Sequence, residues 1–153
     1  MRPSKMIDES ELLRLFFSDE QYADGVIKDI SIPLDDLKER GLSLDIKAIV
    51  EPSVIGDRAA EQSSRRPDSR HTAFISEVVK KEICSCTNPN EVDADGKEIL
   101  LFEILSTPLA ENPAHASLLC IDKSKTRSFY VMARNKLKPF FLKKIVPLST
   151  WSI

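Results

Sequence analysis

Apolar positions recur along this chain at two spacings, one near 3.6 and one near 2, and the switches between them mark its elements. In "DESELLRLFFSDE" the residues Leu12, Leu13, Phe16 and Phe17 lie at helical spacing and Asp8 or Ser10 can cap the turn, which predicts a short N-terminal helix. "GVIKDISIPLDDLKERG" reads as a strand over VIKDISI and then a compact helix. Pro33 suits its first turn, Asp35 and Asp36 favour its N-terminus, Lys38 and Arg40 its C-terminus, and Gly41 stops it. "LSLDIKAIV" alternates and becomes β-branched, a strand pattern. Residues 51–70 are polar and mixed in charge, with at most one helical turn around "DRAAEQ", so a mobile surface loop is expected. "HTAFIS" reads as a strand, after which Ser76 can cap a short helix, "EVVKKEIC". "TNPNEVDADGKE" is rich in turn residues; "ILLFEILS" is the best buried strand, ended by Thr107-Pro108, and "HASLLCID" is another. "SKTRSFYVMARNKLK" is a helix capped by Ser124, with Phe129, Ala133 and Leu137 on one face, and Pro139 breaks it or begins a second short helix. Helices and strands mix without regular β-α-β alternation and without an internal repeat. The expected fold is therefore α+β: a single compact domain over 1–153, a mixed or antiparallel sheet, an N-terminal helix and a basic C-terminal helix.

Composition adds class and compartment. A chain of 153 residues, 42% hydrophobic and 30% charged, is the size and make-up of one soluble globular domain. No apolar run approaches the ~18 residues of a membrane helix. The start, "MRPSKMIDESELLRLFF", lacks a secretory layout, because acidic residues precede a short apolar run and no small-residue cleavage site follows. Cys84, Cys86 and Cys120 are odd in number and "CSC" is too tight for the usual metal or redox knuckle, so reduced, partly buried thiols are expected and no metal site. The reading is a cytosolic chain.

The net charge of −2 conceals an asymmetry. From Lys123 onward there are 8 basic and no acidic residues, whereas 1–122 holds the other 14 basic and all 24 acidic ones, a body of −10 beside a tail of +8. Aromatics interleave with the tail charges Arg127, Arg134, Lys136, Lys138, Lys143 and Lys144. That pattern fits phosphate neutralisation with base stacking, contact with an acidic protein, or docking of the 123–145 segment on its own acidic body. Equally, helix-spaced aromatics pack a core while lysines form the solvated face.

The chemistry-bearing residues are few. His115 and Ser117, two apart on a strand, share a face, which resembles half the signature of two-histidine phosphoesterases. The other half is missing, because Thr72 sits next to His71 and points away from it. The simpler reading puts both imidazoles at strand starts on the sheet rim. "DADG" suggests a calcium loop, but Phe102 falls where a ligating glutamate belongs, leaving a hairpin turn. Four glycines, none closely paired, supply no nucleotide fingerprint, so no cofactor is expected. Asp35-Asp36 reads as a helix start and not as a nuclease carboxylate pair.

"GLSLD", then "HTAFIS" with "EVVKKEI", then "STPLAENPAHASLLC" and a Ser-Lys-led basic helix resemble a group of small uncharacterised bacterial proteins, with an "LSV"-like strand and an "NPAHA" segment opening the last strand. The resemblance spans about 40–137 and departs from the group in the acidic 87–98 insert and the aromatic end after Pro139. It implies a bacterial cytosolic origin and no particular activity. Together these readings point to a non-enzymatic binding or accessory protein, meeting a protein or nucleic-acid partner through Arg127, Arg134, Lys136, Lys138, Lys143 and Lys144. The alternative is a small phosphoesterase or nuclease using His115, Ser117 and His71, which requires both imidazoles to face one pocket.

Overall fold

A computed structural model describes residues 4–152. In chain order, β1 (Ser4–Lys5), β2 (Glu11–Asp19), β3 (Tyr22–Ala23) and β4 (Val26–Ile27) lead through a 3-10 turn (Asp29–Ser31) and a single π-turn (Asp36–Arg40) to β5 (Leu42–Ile46). Then come α1 (Pro52–Arg65), β6 (Arg70–Val79), α2 (Lys80–Cys84), β7 (Thr87–Val92), β8 (Glu98–Leu100), β9 (Phe102–Ser106), β10 (His115–Cys120), α3 (Arg127–Leu142) and β11 (Ile145–Pro147). The main sheet has seven antiparallel strands in the order β1-β9-β10-β5-β2-β6-β11, and β3-β4 and β7-β8 form two small hairpins. The α+β class holds, and the sheet is antiparallel, not mixed.

Three local expectations are corrected. The predicted N-terminal helix is β2, the long strand that pairs along its whole length with β6. Its apolar residues face both ways: Leu12 and Phe16 enter the larger core, and Leu13 enters the smaller one on the opposite face. A strand covered on both faces is apolar at consecutive positions, and a short run of that kind has no periodicity separating it from a helix. The 51–70 segment, expected as a loop, is mostly α1, with Pro52 in its first turn. Only Ile55 and Ala59 of α1 are buried, which is why its polar composition read as loop. Ser76 does not cap a helix; it lies inside β6, and its buried hydroxyl donates to the Phe141 carbonyl at the end of α3 (2.6 Å). That bond satisfies one of the carbonyls that a helix C-terminus leaves without an intrahelical partner.

The C-terminal helix forms as the pattern indicated, with Thr126 and not Ser124 at its N-cap, and it runs through Pro139. Tyr130, Ala133, Leu137 and Phe141 are its buried face; Phe16 meets Phe141 edge-on at 5.4 Å between ring centres. The "DADG" turn closes the β7-β8 hairpin: Asp93 Oδ1 accepts the N–H groups of Asp95 and Lys97 (both 2.9 Å), and Gly96 takes φ +77°. No helix of the described residues is long and apolar enough to cross a membrane.

The two faces of the sheet are unequal. α3 covers one face over Leu42, Leu44, Ala116 and Leu118. α1 lies over β6 on the other face, held by Ile55 against Leu13 and Ile75. The β10 and β5 side of this second face is left open beside α1, and the polar strand positions Ser43, Asp45, His115 and Ser117 lie there.

Candidate functional site

The open part of the second face is a groove of about 660 Å3. Its floor is where β2 and β5 part company: their ladder has only the pairs Leu12–Ile46 and Leu13–Asp45. Beyond it Arg14 fills the gap, donating to the carbonyls of Ser43 (2.7 Å) and Ser31 (2.6 Å). Burial pushes the Arg14 guanidinium down to about 10, against the pull of Asp36 and Asp45. α1 forms one wall through Val54, Asp57, Arg58 and Glu61; the 107–114 connection forms the other through Leu109, Glu111 and Asn112.

The "ENPAHA" stretch owes its shape to Asn112. Its backbone closes a tight turn with Leu109 (3.0 and 3.1 Å), its Oδ1 accepts the Ala114 N–H (3.3 Å), and its Nδ2 donates to Asp45 Oδ1 (2.9 Å). Asp45 is also held by Arg58 of α1 at 2.5 Å, so one buried carboxylate ties the turn, β5 and α1 together. A carboxylate sheltered this far from water needs such partners. The turn delivers His115 to the start of β10, directly across from Asp45.

His115 is bonded at both ring nitrogens. Nδ1 lies 3.0 Å from the Thr107 carbonyl and 2.8 Å from the Thr107 hydroxyl, while Nε2 lies 3.1 Å from Ser43 Oγ. A carbonyl oxygen only accepts, so in the tautomer that carries its proton on Nδ1 that proton points at it, Nε2 is the acceptor, and Ser43 donates to it. Ser117 does not touch the imidazole: its hydroxyl meets the Thr107 hydroxyl at 2.8 Å and is buried. The His-x-Ser pair therefore shares a face, as strand geometry demands, but the serine within reach of the imidazole comes from β5.

His71 stands elsewhere. His115 aligns through Asp45 and Leu13 with Glu77, three strand spacings away, and His71 lies a further six positions along β6. With ~4.8 Å between strands and ~3.3 Å per residue, the histidines are ~24 Å apart. His71 is exposed, with Thr72 (2.8 Å) and Asp19 (3.4 Å) as neighbours. A site using both histidines is therefore excluded by the geometry.

The basic segment lies against its own body. Arg134 and Lys138 both pair with Asp29, Arg134 at 3.3 Å. Lys143 reaches Glu82 (2.7 Å), Lys144 reaches Glu77, Lys125 reaches Glu91 (2.7 Å) and Lys123 reaches Glu103 (3.6 Å). The hydrogen bond from Lys138, aided by the charge of Arg134, holds Asp29 below the usual carboxylate range. Of the six cations singled out from sequence, only Arg127 and Lys136 are without a carboxylate partner among the described residues, and both are exposed. Cys84, Cys86 and Cys120 are free thiols, and burial raises each of them, Cys120 to about 12. Among the described residues no group of three or more His, Cys, Asp or Glu is placed to hold a metal ion.

Ser43, Asp45, Arg58, Thr107 and Asn112 were not singled out from sequence. One signal was present: in "LSLDI" two polar residues alternate with three apolar ones, so they must share the face opposite the core. No protein-family model, curated protein or solved structure matches the chain.

Proposed function

We propose that this chain is a cytosolic binding or accessory protein for a protein partner, and that the partner sits in the α1/β5/β10 groove and not on the basic C-terminal segment. One observation carries this reading: the segment's cations are mostly engaged with internal carboxylates, whereas the groove keeps charge and apolar surface open to solvent. Asp57 and Glu111 on its two walls are exposed and have no ion-pair partner among the described residues, and Val54 and Leu109 beside them are 37% and 41% exposed. Acidic walls bearing an exposed aliphatic residue each suit a partner segment that combines a Lys or Arg with an apolar anchor. A phosphate backbone would meet Asp57 and Glu111, unpaired among the described residues, on the two walls there and be repelled by them. Nucleic-acid binding through the tail would first have to break the pairs to Asp29, Glu77 and Glu82.

The test compares two fluorescent ligands at low salt: a short oligonucleotide, and a peptide alternating Lys or Arg with Leu. The peptide should bind, and Asp57→Lys with Glu111→Lys should weaken it tenfold or more. Tight binding of the oligonucleotide, lost when Lys136, Lys138, Lys143 and Lys144 are changed to Glu, would return the function to the basic segment.

A further inference from the structure

We propose that Ser43 and His115 form a nucleophile–base pair, making the groove an acyl-transfer site for small esters that are neutral or cationic. The proposal goes beyond the binding reading and stands independently of it, although the ester would occupy the same cleft. It rests on the bond pattern around one imidazole. With the imidazole proton on Nδ1, facing the Thr107 carbonyl at 3.0 Å, Nε2 is the acceptor, and the Ser43 hydroxyl lies 3.1 Å from it. This is the arrangement that activates a serine: a base within hydrogen-bond reach, itself oriented by a third group. Here the orienting group is a backbone carbonyl, so the imidazolium formed in the reaction is stabilised by a dipole and not by a full negative charge. That predicts a slow enzyme.

The surroundings agree with the assignment. Ser43 is exposed at the groove floor, so an ester carbonyl can reach its Oγ. Arg14, bonded to the carbonyl of Ser43 itself, and Arg58, bonded to Asp45, both line the groove that holds Ser43. The acidic walls disfavour phosphoesters and carboxylate-bearing esters. Ser43 is placed by β5 and His115 by β10, neighbouring strands of a seven-stranded sheet, so the pair stands on rigid elements.

The chemistry balances with water as the only co-reactant. Ser43 Oγ bonds to the ester carbonyl carbon while its proton moves to His115 Nε2. The tetrahedral oxyanion collapses, the bond to the alcohol oxygen breaks, and the alcohol leaves with the proton from Nε2. Water then attacks the acyl-Ser43 ester, giving its proton to Nε2, and that proton returns to Ser43 as the carboxylic acid departs.

The test uses a fluorophosphonate probe and p-nitrophenyl acetate on the purified full chain. The wild type should be labelled, with the adduct mapped by mass spectrometry to Ser43, and should release p-nitrophenol. Ser43→Ala should abolish labelling, and His115→Gln should slow it by on the order of 100-fold or more while a cooperative unfolding curve shows the fold intact. A wild type that is not labelled at Ser43, or a His115→Gln variant labelled at the wild-type rate, overturns the proposal. The wild-type mapping needs no variant, so a misfolded mutant cannot obscure the answer. Unlabelled protein that still binds the Lys/Leu peptide removes the dyad alone; labelled protein that ignores the peptide removes the protein-partner reading and leaves the dyad.

Discussion

Replacing Gly41 with alanine should unfold a large part of this protein's stability margin, through two costs that can be measured apart. Gly41 ends the π-turn at φ 88° and ψ 130°, a backbone region that residues with a Cβ avoid. Holding a non-glycine residue in a sparsely populated region costs about 1–3 kcal/mol. The added Cβ would also stand 2.7 Å from Ser117 Cβ and 3.0 Å from its Oγ. Neither neighbour can retreat easily, because Ser117 is buried and in the middle of β10, where forced overpacking costs about 1–3 kcal/mol. The sum, about 2–6 kcal/mol, compares with a total of roughly 5–15 kcal/mol for a domain. With a urea slope near 2 kcal/mol/M, the midpoint should fall by about 1–3 M, followed by the fluorescence of Trp151. Adding Ser117→Gly removes the clash and leaves the backbone strain, so a double-mutant cycle should show a coupling of about 1–3 kcal/mol. Ser117→Ala keeps the Cβ and should show almost none. A Gly41→Ala cost below about 1 kcal/mol, or equal coupling with both partners, would refute the reasoning.

Two further predictions concern charge. Burial pushes Glu77 upward, but hydrogen bonds from Lys144, Lys47 (2.9 Å) and Trp151 (2.9 Å) outweigh it and bring its carboxyl down to about 2. Its contribution is therefore complete above the ordinary value near 4.5 and is lost as pH falls toward 2, by about 3 kcal/mol at most; Glu77→Gln should flatten the acid limb of a stability–pH curve between those values, and an unchanged limb would show that the carboxylate is not so held. Changing Lys136, Lys138, Lys143 and Lys144 to Glu should lower stability by about 1–3 kcal/mol, since three of the four lie on carboxylates and exposed pairs contribute only ~0.2–1 kcal/mol each before repulsion is added; an unchanged unfolding midpoint would mean that those pairs contribute nothing.

The sequence by itself determined the α+β class, strands in "LSLDI", "HTAFIS" and "HASLLC", the hairpin turn at Asp93–Gly96 and the amphipathic α3; the one strand expected over "ILLFEILS" is divided between β8 and β9. Each rests on local physics: alternation, a turn that needs positive φ, or a helical stripe with one face apolar. It also carried the charge asymmetry, which is a sum over residues and requires no fold. The tertiary structure alone decided the rest. The patterns of β2 and α1 mislead in opposite directions for one reason: periodicity reports burial and not backbone shape. A central strand buried on both faces has no polar face, and a helix resting on the sheet by Ile55 and Ala59 has almost no apolar one. The long-range ion pairs of α3 and the segments flanking it bring together residues from 20 to 109 positions apart, as in Lys123–Glu103 and Lys138–Asp29, and no local pattern announces such contacts. The groove has the same origin. Ser43 and His115 are 72 positions apart and become neighbours only because β10 pairs with β5, and the π-turn, Asn112 and Arg14 then set the strand ends around them.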